Sequence, residues 1–387
     1  MQRRLAHLPL HTGSAPPWLF SRMWRLAGAI TMAVVDSYGP QEMLRRLSDP
    51  WWFQAFGCVL GFDWHSSGVT TVTCGAMKEA YKHFGNDLGI HVAGGKGGTS
   101  RKTPMEIDRI ADQRAISGGE QLIFASKMSA KVDSAAVQDG YELYHHSFFF
   151  SDGGQWCVVQ QGMNDFNQYA RRYHWLGDGV EDFVCEPHNA IADLGAQEAR
   201  QEPDGQYLLN MVAQEAGANR KRSVDLVQWN PDKLIQSLRK LTDGPSLFAP
   251  SEHRVLPTSV NLPRLEKIVR SVHERFPNDF QTLLGSAGVG AATVRSLSLL
   301  AELIYDAPAS HRDPADKSGK EQKAGRQWAD YSYAHGGKDA HPFPVDRRTY
   351  DQNIAILSDA VRKARVGDEE KVGALKRLAR HEAEVES

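Results

Sequence analysis

The first half of the chain collects acids, histidines and lysines able to carry phosphodiester chemistry: Asp63, His65, Lys96, Lys127, Lys131, Asp133, Asp139, Glu142, His145 and His146. Carboxylates supply oxygen ligands to Mg²⁺ or Mn²⁺, a histidine or glutamate positions water, and cations hold the phosphate. On this reading Asp63 and Asp133 are the metal ligands, and His65, Glu142, His145 and His146 complete a catalytic set. No complete nuclease signature is present, and each histidine alone reads first as a packed or hydrogen-bonded residue. His145 and His146 are adjacent, so on a strand they point to opposite faces and only one serves a given site.

The run from Gly94 to Gly98 is rich in glycine and is followed by Arg101 and Lys102. Its N–H groups could cradle phosphate, with Lys96, Arg101 and Lys102 adding charge, or it is simply a loop. It lacks the glycine and lysine order of a P-loop, so ATP hydrolysis is not supported.

The second constellation lies in the segment 280–305. A short helix ends near Leu283 and Leu284, Gly288-Val289-Gly290 follows, and a longer helix begins at Ala291-Ala292-Thr293. Two glycines around one apolar residue let the backbone turn tightly, so that N–H groups of the turn and of the next helix face one phosphate while Val289 anchors the hairpin. Such a helix-hairpin-helix reads DNA shape rather than base sequence. Gly288, Val289, Gly290 and Thr293 are the expected DNA contacts, with Lys338 from a later segment of mixed charge. Glycine pairs also end and start helices for structural reasons alone.

These groups need elements to hold them. Apolar residues at helical spacing from Trp18 to Val35 predict an amphipathic helix, a second follows at Gln41 to Leu47, and Trp51 to Phe62 reads as a core segment. Helices are also predicted over Gly75 to Phe84 and Ser126 to Gln138. Tyr144 to Ser151 and Trp156 to Gln161, joined by Asp152-Gly153-Gly154-Gln155, predict a β-hairpin. After Gly162 the pattern becomes irregular, and Arg220-Lys221-Arg222 stands in an expected linker. Beyond Pro231 nearly everything reads helical, including Tyr350 to Arg365. The expected organisation is an α+β or α/β N-terminal domain over 1–195, a linker over 196–230 and an all-α helix-hairpin-helix domain over 231–387.

Bulk properties exclude several classes. A net charge of -2 over 387 residues gives no overall attraction to nucleic acid, so DNA must be held by local basic patches. The four cysteines never approach C-x-x-C spacing, which fits free thiols in a reducing compartment. Arg22 and Arg25 break the apolar stretch after Trp18, against a signal peptide or a membrane span. A cytoplasmic protein without a membrane partner is expected.

The chain resembles the family numbered 763 among the domains of unknown function. The resemblance is carried by Leu8-Pro9-Leu10-His11-Thr12-Gly13, Phe62-Asp63-Trp64-His65-Ser66-Ser67-Gly68, Ala93-Gly94-Gly95-Lys96-Gly97, Tyr144-His145-His146, Val159-Gln160-Gln161-Gly162-Met163 and His335-Gly336-Gly337-Lys338-Asp339. It spans most of the chain and implies no reaction. A more distant resemblance is to DNA glycosylases of the endonuclease III type, in which a helix-hairpin-helix precedes a catalytic aspartate. That resemblance implies Asp346 as the catalytic residue. Asp346 nevertheless lies 56 residues after Gly290 (346 minus 290), Ala292 stands where bifunctional members carry lysine, and no cysteine cluster is present. A helix N-cap is the simpler role for Asp346. The leading expectation is a metal-dependent DNA nuclease acting in repair or processing. The alternatives are a glycosylase and a DNA-binding protein without catalysis.

Overall fold

Pro16 and Pro17 start a helix without needing the N–H groups they lack, and an apolar stripe from Leu19 to Met32 gives it a face to bury. This helix, α1 (Pro17–Tyr38), is followed by α2 (Pro40–Leu47), α3 (Pro50–Val59) and the long α4 (Gly68–Leu88). The small and β-branched residues before Gly75 belong to α4, because Val69, Thr70 and Thr73 are buried in the bundle. A Cβ at Gly28 would lie 2.1 Å from the Phe84 ring, so glycine there lets α1 and α4 approach closely. The computed structural model describes residues 15–62, 67–192, 208–242 and 260–315. Asp63, His65, Lys338, Asp346 and the helix expected at Tyr350 lie outside them.

The centre is an antiparallel sheet of β1 (Ile90–Lys96), β3 (Glu142–Ser151), β4 (Trp156–Asn164), β5 (Tyr169–Leu176) and β6 (Ala190–Ala192), in that order. β2 (Val137–Gln138) pairs instead with β7 (Leu209–Asn210). The predicted β3–β4 hairpin is present, and the residue of its turn with positive φ is Gly154. Among the described residues the fold is α+β, since every strand pair there is antiparallel and no parallel sheet of an α/β fold is built.

The pleat sends alternate side chains to two cores. Phe149, Cys157 and Val159 pack with α1 to α4 on one face. Phe148, Phe150, Val158, Tyr173 and Trp175 pack on the other, where α5 (Thr103–Arg114) and α6 (Gly119–Lys131) join the helices of the second half. Those are α7 (Gly217–Val227), α8 (Pro231–Thr242), α9 (Leu262–Arg275), α10 (Phe280–Gly285) and α11 (Ala291–Tyr305). The expected linker therefore needs correction where it is described. Arg220 of the basic cluster is buried in α7 and donates to the carbonyls of Met211 and Ala213, both at 2.7 Å, instead of facing solvent. The helices after Pro231 share one apolar cluster with the sheet. Among the described residues no helix is long and apolar enough to cross a membrane, and Cys58, Cys74, Cys157 and Cys185 are free thiols.

Candidate functional site

α6 ends in a π-helical turn, Val132–Ala136, which places Asp133 under the sheet with its side chain fully buried. Wide turns of this kind recur where a helix must present a particular side chain. Trp175 Nε1 donates to Asp133 Oδ2 at 2.9 Å and Gln160 Nε2 donates to the same oxygen at 2.5 Å, while His188 Nε2 lies 2.5 Å from Oδ1. Gln160 continues the chain: its Oε1 lies 2.7 Å from His146 Nδ1, and His146 Nε2 lies 2.9 Å from Ser126 Oγ. Burial pushes the His146 pKa down to about 4, against the opposing hydrogen bond that His146 donates to Gln160 Oε1. Beside this chain Arg171 is held by Asp139 and Asp313, and Tyr173 donates to Asp139 Oδ2 at 2.8 Å. Burial raises the Asp139 carboxyl in spite of the guanidinium beside it.

Among the described residues, the members of the metal site expected from the sequence are engaged within the protein or stand apart, while Asp63 and His65 lie outside those residues. Both oxygens of Asp133 already accept hydrogen bonds, and both ring nitrogens of His146 are engaged. His145 faces the other side of the sheet, and Glu142 is exposed at the start of β3. Among the described residues no group of three or more His, Cys, Asp or Glu is arranged to hold a metal ion. Lys131 does not pair with Asp133 two residues on. Its Nζ donates to the carbonyl of Val289, and burial lowers its pKa.

On the opposite face one rung of the sheet carries Lys96, His145, Gln161 and Arg172, each directly across from the next. Gln161 and Arg172 carry no signal in the sequence that marks them as site residues. A bulge between Leu143 and His145 leaves Tyr144 as the extra residue, and Gln161 Nε2 donates to its hydroxyl. Arg172 is buried without a carboxylate among the described residues. Its donors go to Gln54 Oε1, Thr70 Oγ1, the Pro50 carbonyl and His174 Nε2, and burial pushes its pKa down to about 10.

The expected hairpin residues lie between α10 and α11. Asp279 caps α10 by accepting from the Thr282 N–H at 2.7 Å, and the Val289 N–H closes the turn on the Ser286 carbonyl at 3.2 Å. Val289 is buried, as its anchoring role requires. Gly288 has φ +86, and a Cβ there would lie 3.0 Å from Ile268 Cγ1. Gly290 differs. Its φ of -146 suits any residue, and a Cβ there would meet nothing within 4 Å among the described residues. Among the described residues no side chain caps the first turn of α11, whose leading N–H groups have no acceptor within the helix. Thr293 is buried, so its side chain does not face the open end of the turn. Lys96, Arg101 and Lys102 are exposed around the 3-10 turn Gly97–Lys102, far along the chain from the hairpin.

A family model described as "Protein of unknown function (DUF763)" matches residues 4–345, and the chain belongs to that family. No curated protein and no solved structure matches the chain.

Proposed function

We infer that this member of the DUF763 family holds the phosphate backbone of DNA at the turn Gly288-Val289-Gly290 and the N-terminus of α11. The observation that carries the reading is Gly290, because nothing among the described residues requires a glycine there. Its side-chain volume is left open in front of uncapped N–H groups, where the helix dipole also favours an anion. Gly288 and Val289 explain how the turn is fixed: one supplies the left-handed backbone over Ile268, the other a buried anchor. Arg264 and Lys267 are exposed on α9 close to Ile268 in sequence and add positive charge on that element.

This is recognition of shape and charge rather than of bases. Fluorescence anisotropy with duplexes of unrelated sequence tests it. The expected result is similar affinity for all of them, with log K falling by roughly 0.9 per phosphate neutralised for each decade of salt. Selectivity for one sequence, or binding insensitive to salt, would contradict the reading.

A further inference from the structure

The rung formed by Lys96, His145, Gln161 and Arg172 has an electrostatic imbalance. It holds two cations and, among the described residues, no carboxylate is bonded to either. Arg172 is fully occupied by neutral acceptors, so its charge is not available for direct contact but leaves a positive potential along the row. At the other end Lys96 is exposed, and its ammonium lies 5.8 Å from the centroid of the Tyr144 ring.

His145 stands between these ends, 1% exposed, with Nε2 at 3.0 Å from Ser147 Oγ. Its Nδ1 is buried without a hydrogen-bond partner among the described residues. If the Ser147 hydroxyl gives its hydrogen to Nε2, the neutral ring must carry its proton on Nδ1, which makes that atom a donor without an acceptor. A buried donor left unmade costs free energy, and an anion beside Lys96 would satisfy it.

We propose that Lys96 and His145 bind a phosphate group, with Tyr144 holding the lysine in place. The site is independent of the hairpin and takes inorganic phosphate or a terminal phosphate monoester, whose oxygens accept from both the ammonium and the imidazole N–H. Calorimetric titration of the full chain with inorganic phosphate tests it, beside nitrogen-15 NMR of the His145 ring. Wild type is expected to bind, with a change at the Nδ1 resonance. Lys96→Met is expected to weaken binding about tenfold, while Lys240→Met, at an exposed cation of α8, leaves it unchanged. Tyr144→Phe keeps the ring and should retain binding. No binding to wild type, no change at Nδ1, or equal losses in Lys96→Met and Lys240→Met would overturn the proposal. Comparison of a 5′-phosphorylated with a 5′-hydroxyl single-stranded oligonucleotide in a Gly290→Val background then separates the sources. Preference for the phosphorylated strand assigns a nucleic-acid end, and equal affinity with phosphate still bound assigns free phosphate. Loss of hairpin binding alone leaves all these readouts intact.

Discussion

Lys131, the last residue of α6, donates a hydrogen bond from its Nζ to the carbonyl of Val289 at the tip of the hairpin. The same helix end runs on into the π-helical turn that buries Asp133. Hairpin and buried polar chain are thus held by neighbouring residues of one segment. Lys131→Met should keep most of the packing of the stem but remove the donor, at a cost of about 1 kcal/mol in stability. DNA affinity is expected to fall several-fold as the turn loses its tether. Unchanged affinity in a folded variant would mean that this bond does not help to position the turn.

Asp133 separates a structural role from a metal-binding one. Asp133→Asn replaces one acceptor oxygen by a donor that faces Trp175, Gln160 or His188, so at least one buried partner is left mismatched. The expected loss is about 2 to 4 kcal/mol by urea denaturation. A variant as stable as wild type that had lost a Mg²⁺- or Mn²⁺-dependent DNA cleavage would instead restore the metal role expected from the sequence.

The buried histidines set a pH dependence. Burial holds His145 at about 3, helped by His146 and Lys96, and His146 at about 4, against 6.5 for an unconstrained ring. Between those values the unfolded chain binds more protons than the folded one, so stability falls as pH falls. The contribution is full above about pH 6.5 and declines toward about pH 4. Urea midpoints followed from about pH 7.5 to 4.5 should show this decline, and His146→Gln should make it shallower. Equal midpoints across the range would show that the rings are not held neutral by the fold.

How much of this was legible follows from where the partners lie. The β3–β4 hairpin could be read because Asp152 to Gln155 interrupts two runs rich in aromatic and β-branched residues. The hairpin turn could be read because Gly288 and Gly290 bracket an apolar residue. β5 was missed, and its residues explain why: Arg171, Arg172 and His174 are all fully buried, against the ordinary preference of charged side chains. Arg171 is inside because Asp139 and Asp313, 32 and 142 positions away, neutralise it, and no local pattern announces such a pairing. β1 was hidden by Gly94 and Gly95, which read as loop although they continue the strand, Gly94 leaving no room for a Cβ against the His146 carbonyl. Asp133 stood out as a carboxylate, but Trp175 and His188, which saturate it, come from distant segments.

The central claim rests on Gly290, and one substitution tests it most directly. Gly290→Val places a side chain in open space at a backbone conformation that valine adopts, so the melting temperature should stay near that of wild type. The methyl groups would occupy the volume assigned to the phosphate, and DNA affinity measured at fixed salt should fall about tenfold or more. A folded Gly290→Val protein that binds duplex DNA as tightly as wild type would contradict the account.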